Sequence, residues 1–331
     1  MAGAGAREVV AVSRACALPI DAAGYRPHAL HADRNVWVEK NCYIDIWIEV
    51  LHALQLDPLA VLACTVAIDF EGDQFTFFKP PHQELWELYG VDVQELNVWR
   101  PLLAHAQEHL ARGTLISTEA DAFWLPDTQG TDYRRQHTKT TIVLADLDLG
   151  RSQLGYFHNA SYHTLQDEDF VQTFRVGFAA DPAFLPLFAE TIRFERIARR
   201  SHGELLELAR PMLARHLARR PASNPVTRFG ERLAADWPQT QAAGLDYYHA
   251  WAFATIRQLG AAAELLAAHL NWRGDLETAA AAFATISTGS KALILKAARS
   301  VNSRKPLDAS ALLGEMAAAW QRGMDAIGAA S

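Results

Sequence analysis

The chain has 331 residues, 50% of them hydrophobic and 21% charged, which is too apolar for disorder and long enough for two domains. Its formal net charge of −7 argues against a nucleic-acid backbone as the main partner. Three cysteines are too few for a disulfide framework and point to a reducing, cytoplasmic setting.

The first forty residues mix glycine, proline and scattered charge and read as an irregular lead-in. Met1 to Ala17 has no charged start followed by a long apolar run, so no secretory signal is expected. From Cys42 the pattern changes. Between Tyr43 and Leu54 only Asp45, Glu49 and His52 are polar, and their spacing places them on one stripe of a helix buried on its other faces. Pro58 opens a second helix through Leu62. The apolar stretch Leu54 to Ile68 is interrupted by Asp57 and Pro58 and falls short of the roughly 20 residues of a membrane span, so no membrane partner is expected.

Phe75 to Phe78 predicts a short strand. Two helices follow with proline at the start and glycine at the end, from Pro81 to Gly90 and from Pro101 to Gly113. Thr114 to Ala120 predicts a buried strand. A polar loop, Pro126 to Gln136, leads to a β-branched strand from Thr138 to Leu144. Leu154 to Phe157 completes a hairpin across Asp148-Leu149-Gly150, and Asp167 to Phe174 predicts a short helix. After about Asp181 strand-like runs cease. Leu- and Ala-rich segments predict roughly five helices, broken at Pro221 to Pro225, near Gly260, at Gly274, at Ser287 to Ser290 and at Asn302 to Pro306. The pattern divides the chain into an α+β domain over residues 1–180 and an all-α helical bundle over residues 181–331.

Cys42 stands where the buried helix begins, and a helix N-terminus favours thiolate through its unpaired N–H groups and positive dipole end. His137 stands at the mouth of a strand and is the candidate base. Asn159, beyond the next strand, is the candidate to orient its far nitrogen. Asp45, one turn after Cys42, opposes a thiolate and is read as a partner of the helix N-terminus or of the substrate. The competing reading of Cys42 is a buried small hydrophobe, and Cys16 and Cys64 are read as structural. The histidines lack metal-site spacing, so no metal is expected, and no glycine-rich loop supports nucleotide binding. Arg134 and Arg135 before His137, with Lys139 beyond it, suit an anionic substrate portion or a solvated loop.

Several segments resemble an uncharacterised bacterial family, domain-of-unknown-function family 1839, over almost the whole chain. They are Asn41-Cys42-Tyr43-Ile44-Asp45, Asp69-Phe70-Glu71-Gly72-Asp73-Gln74, Gln94-Glu95-Leu96-Asn97-Val98-Trp99, Asp121-Ala122-Phe123-Trp124-Leu125-Pro126-Asp127 and Gln136-His137-Thr138-Lys139-Thr140. A cysteine at a helix start, a strand ending in Asp-x-x-x-Leu-Pro, then a loop and a histidine opening a strand is also similar to the butirosin-biosynthesis acyltransferase N-terminal domain.

That second resemblance implies a papain-like, cysteine-peptidase-type domain of the bacteriocin-leader class, with a helical domain appended. It implies transfer of an acyl or aminoacyl group from a carrier protein's phosphopantetheine thioester to an amine. Cys42 would be the nucleophile, His137 the base and Asn159 the orienting residue. The oxyanion glutamine of those peptidases has no match ahead of Cys42, and Asn35 or Asn41 is the candidate substitute, beside backbone N–H groups at the helix start. Asp121 is read as a binder of an amino group on acyl chain or acceptor, or as a turn cap.

The expected function is therefore a cysteine-dependent acyltransferase whose partners are an acyl carrier protein and a small-molecule amine, with no cofactor beyond the carrier's thioester. A cysteine hydrolase, peptidase or amidase, and a non-catalytic binding protein on the same fold are the alternatives.

Overall fold

The computed structural model describes residues 14–179 and 185–330. The chain forms two compact units that interleave in sequence. One comprises Met1–Arg26 and Val93–Glu195, the other Pro27–Asp92 and Arg196–Ser331. The compact units thus follow a different line from the compositional change near residue 180. Composition reports local preference, whereas a buried helix joins whichever core covers its apolar faces.

The first unit is built on an antiparallel sheet. Its strands are β1 (Arg14–Cys16), β2 (Asp92–Glu95), β3 (Leu115–Asp121), β4 (Lys139–Asp148), β5 (Gln153–His158), β6 (Ser161–Gln166) and β7 (Ala189–Arg193). They lie in the order β2-β7-β3-β4-β5-β6, with β1 added to β4. The β-branched strand β4 is the spine. Its first half pairs with β3, Asp121 opposite Lys139 and Ile116 opposite Leu144. Its last three residues pair with β1. β5 runs along its other edge with an irregularity between Leu144 and Asp146. Helix α3 (Leu102–Ala111) packs on β1, β3 and β4, and α4 (Asp167–Phe174) packs on β5 and β6. Leu115, Ile142, Leu144, Leu154, Phe157 and Leu165 fill the core.

The three strands expected in this region are present. β1, β2, β6 and β7 are additions, and β7 shows that strands do not cease near Asp181. Short polar strands such as β6 and β7 show little pattern of their own; pairing with β5 and β3 supplies their order.

The second unit is helical. It contains α1 (Cys42–Ala53), a 3-10 segment (Pro58–Ala67), α2 (His82–Tyr89), α5 (His202–Leu217), α6 (Pro225–Ala243), α7 (Leu245–Ala252), a π-turn (Phe253–Arg257), α8 (Gln258–Arg273), α9 (Glu277–Ser303) and α10 (Ser310–Ala330). α1 is buried from Tyr43 to Leu51, its polar stripe included. The Pro58 element is longer than expected and packs between α5 and α8.

Phe75 to Phe78 is not a strand. Phe75 makes a single bridge to Phe70, donates its N–H to the Ala254 carbonyl at 3.0 Å, and packs its ring at a tilt against Phe70 and Phe229. An aromatic core, not a sheet, holds this segment. The expected breaks near Gly260 and at Ser287 to Ser290 are also absent, because α8 and α9 run straight through them. These small residues let helices approach. A Cβ at Gly260 would lie 2.6 Å from the Trp37 ring and 2.7 Å from the Ser290 Cβ. Helix α9 is long and apolar enough to cross a membrane by length and composition, and half of that window is buried inside the chain, where α9 packs on α8 and α10. The fold class is α+β, with a C-terminal part that is mostly helical.

Candidate functional site

Cys42 is the first residue of α1 and is half-buried. Asn41 caps the helix, its Oδ1 accepting from the N–H groups of Tyr43 at 3.1 Å and Ile44 at 2.9 Å. Two amides expected to face an oxyanion are therefore already bonded, leaving the N–H of Cys42 itself in the first turn. The Asn41 side-chain amide is turned inward, donating to the Phe78 carbonyl at 3.2 Å and to Gln258 Oε1 at 3.4 Å. Asn35 is equally committed, its amide donating to the Ala29 and Leu30 carbonyls at 2.9 and 2.7 Å. Neither asparagine stands in for an oxyanion glutamine.

Asp45, expected to meet the helix end or a substrate, is fully buried with both oxygens engaged. Oδ2 accepts from the Lys40 N–H at 2.7 Å and Oδ1 pairs with His31 Nε2 at 3.0 Å. The other His31 nitrogen pairs with Glu49. Burial alone would lower the His31 pKa, but the hydrogen bonds to Asp45 and Glu49 outweigh it and raise the pKa above its ordinary value. The His31 imidazole thus lies between two carboxylates one turn from Cys42. Lys40, also buried, donates its ammonium to the Leu30 and Val38 carbonyls, and burial lowers its pKa.

His137 belongs to the sheet unit. The β3–β4 register brings the two ends of the loop from Ala122 to Thr138 together, with Ala122 N–H donating to Thr138 O at 2.9 Å. Asp121 ends β3 and does two things. Its Oδ1 accepts from the Phe123 N–H at 3.1 Å, and its Oδ2 pairs with His137 Nδ1 at 2.5 Å. The imidazole lies flat on Phe123, ring centres 4.3 Å apart, and is 68% exposed. An exposed histidine with one nitrogen held by a carboxylate and the ring fixed on an aromatic face has its other nitrogen directed to solvent. This is the geometry of a general base.

Asp121, not Asn159, holds His137. Asn159 occupies the two-residue turn between β5 and β6 in the left-handed region, at φ +47°, and makes no side-chain hydrogen bond among the described residues. Arg134 is also left-handed, stacks on Trp124 and pairs with Asp169 at 2.6 Å and Glu168 at 3.4 Å. Lys139 pairs with Glu119. Arg135 reaches only the Gly130 carbonyl, at 3.4 Å, among the described residues, and is the loop's uncommitted cation. Cys42 and His137 belong to different compact units.

His158 and His163, which flank Asn159 in the sequence without metal-site spacing, belong to a second array. Asp127 is buried in the loop, and its carboxylate accepts from Tyr156 OH and pairs with His158 Nδ1 at 2.5 Å. His158 Nε2 lies 2.8 Å from Thr140 Oγ1, and His163 Nε2 is 3.9 Å from Asp127. Burial would raise the Asp127 carboxyl, but His158, His163 and Tyr156 together lower it. The hydroxyl–imidazole–carboxylate series is enclosed, so it pins the loop to β5 and thereby steadies Asp121 and His137. Asp127 in Leu-Pro-Asp and His158 beside Asn159 were visible in the sequence; their meeting depends on the β4–β5 register. Among the described residues no three His, Cys, Asp or Glu side chains converge as a metal site requires.

Comparison with known families decides the affiliation. The DUF1839 N-terminal domain model matches residues 26–194, and the DUF1839 C-terminal domain model matches residues 202–329. The chain belongs to the DUF1839 family. Cys42, Asp121, Asp127, His137 and His158 all fall within the DUF1839 N-terminal match, while Gln258 falls within the C-terminal one. No curated protein matches the chain.

Proposed function

We propose that this DUF1839 protein is an acyl or aminoacyl transferase that works through a thioester on Cys42, with His137 as base and Asp121 as its orienting carboxylate. The observation that carries the reading is the 2.5 Å pairing of Asp121 with His137 on an otherwise exposed ring. The likeness of the Cys42 and His137 segments to the butirosin-biosynthesis acyltransferase domain supplies the reaction class and the papain-like architecture. A reducing cytoplasm would keep Cys42 a thiol.

The Cys42 thiolate attacks the carbonyl of an acyl group on a carrier protein's phosphopantetheine. The tetrahedral adduct collapses, the pantetheine sulfur leaves, and it takes its proton from the imidazolium of His137. An amine then attacks the Cys42 thioester, His137 accepts the amine proton, and Cys42 leaves as thiolate. Arg135, whose side chain reaches only the Gly130 carbonyl among the described residues, offers a cation to the acyl donor's phosphate.

One observation favours the non-catalytic alternative: the Tyr43 and Ile44 amides are taken by Asn41, so oxyanion stabilisation falls on the Cys42 N–H. The test separates the readings. The protein is mixed with a panel of aminoacyl-loaded carrier proteins and its intact mass is recorded. An acyl adduct that disappears in Cys42→Ala and discharges only on addition of an amine supports transfer. Discharge in buffer alone identifies a hydrolase. No adduct on any carrier, with Cys42 inert to alkylation, overturns both.

A further inference from the structure

The residues before Cys42 are held by the far end of the chain. α7 and α8 form one helical run interrupted by the π-turn Phe253–Arg257. A π-turn inserts a residue, frees a carbonyl and shifts the face of everything that follows; such turns gather at functional positions. Here the Ala254 carbonyl accepts from Phe75 N–H at 3.0 Å. Arg257, the last residue of the turn, donates from Nε to the Lys40 carbonyl at 3.2 Å and from its terminal nitrogen to the Glu39 carbonyl at 3.0 Å.

Gln258 is 1% exposed, and its Oε1 faces the Asn41 amide at 3.4 Å while its own amide donates to Phe253 O at 3.3 Å. Two turns on, Glu264 accepts from the Val36 and Trp37 N–H groups at 2.8 and 3.1 Å. Glu39, Lys40 and Asn41, the three residues ahead of Cys42, are thus each tied to Arg257 or Gln258. Asp45 grips Lys40 N–H at 2.7 Å within the same segment.

We propose that Arg257 and Gln258, presented by the π-turn, are positioning residues for Cys42: Gln258 fixes Asn41, which caps α1, Arg257 fixes the Glu39 and Lys40 carbonyls just ahead of it, and together they set the direction and solvation of the thiol. The helical C-terminal region then builds the nucleophile's surroundings. The inference rests on the reading of Cys42 as a nucleophile, but its test needs neither carrier nor acceptor.

The full chain is alkylated with iodoacetamide between pH 5 and 10, and the rates at Cys42 and at Cys16 are followed by peptide mass spectrometry, with Cys16 as the internal reference. Gln258→Met keeps the volume and removes the acceptor; Arg257→Ala removes both carbonyl contacts. Each is expected to change the Cys42 rate by about fivefold, the scale of one lost hydrogen bond, and to move its pH profile while Cys16 is unaffected. Arg257→Lys keeps a cationic donor for the Lys40 and Glu39 carbonyls and is expected to restore the native profile.

Cys42 profiles unchanged in Gln258→Met and Arg257→Ala would overturn the proposal, as would parallel changes at Cys16. If Arg257→Ala fails to fold, Gln258→Met still decides the question. Altered thiol profiles together with a failed carrier assay would leave this inference standing and remove the transferase reading.

Discussion

His269 and His31 carry opposite linkages to folding within one unit. His269 donates Nδ1–H to the Leu59 carbonyl at 2.8 Å, and burial lowers its pKa to about 4. A lowered pKa means stability that is present above the ordinary 6.5 and lost as pH falls through about 4. The loss is on the order of 3 kcal/mol by the usual conversion. His31 has its pKa raised, so its contribution is complete below 6.5 and disappears as pH climbs through the raised value. Thermal unfolding midpoints should therefore fall on both flanks of a maximum near neutrality. His269→Asn, which keeps a donor for Leu59, should flatten the acid flank, and His31→Asn the alkaline one. Identical flanks in the variants would contradict these assignments. At the same scale, Asp121→Asn leaves the shape of the loop but no longer fixes the His137 tautomer. Acyl transfer should drop roughly 10²-fold, with the stability loss under about 1 kcal/mol for an exposed pair. The residues Cys42, His137 and Asp121 were legible because helix-start and strand-end positions are local. Which carboxylate meets His137 was not legible, since the β3–β4 register brings together residues 16 apart.

Among elements, the β5–β6 hairpin gives the sharpest case. Asn159 takes the left-handed turn position that asparagine and glycine tolerate and β-branched residues do not. Asn159→Gly should change stability by less than about 0.5 kcal/mol, and Asn159→Val should cost about 1–2 kcal/mol. Both should leave the chemistry of His137 untouched. A loss of transfer activity in Asn159→Gly, with the unfolding midpoint unchanged, would restore Asn159 to the catalytic set. The helices ending at Gly90 and Gly113 were readable from proline and glycine alone, because those ends are written in backbone conformation, at φ +70° and +77°. Gly260 was misread for a related reason. Glycine marks a chain end when the backbone needs it and a close contact when a neighbour needs it, and only the position of Trp37 tells which.

Across the whole molecule, the helical unit draws residues 27–92 and 196–331 from either side of the sheet sequence. The Pro58–Ala67 segment packs on α5 and α8, so without it those helices present bare apolar faces. Residues 202–331 expressed alone should be poorly packed, with helical circular dichroism but little amide dispersion in NMR spectra. Adding residues 27–92 should restore a dispersed spectrum; a well-folded fragment on its own would refute the shared core. The amino-acid sequence by itself determined the α+β class, the helix that starts at Cys42, the loop that delivers His137 and the helical character of the C-terminal part. Each of these depends on periodicity, capping residues or composition within one segment. Only the tertiary structure decided that Asp121 pairs with His137, that His31 lies between Asp45 and Glu49, and that Arg257 and Gln258 hold the approach to Cys42. Those pairings join residues from 14 to more than 200 positions apart, and no local preference encodes a partner that distant; burial and strand register select it.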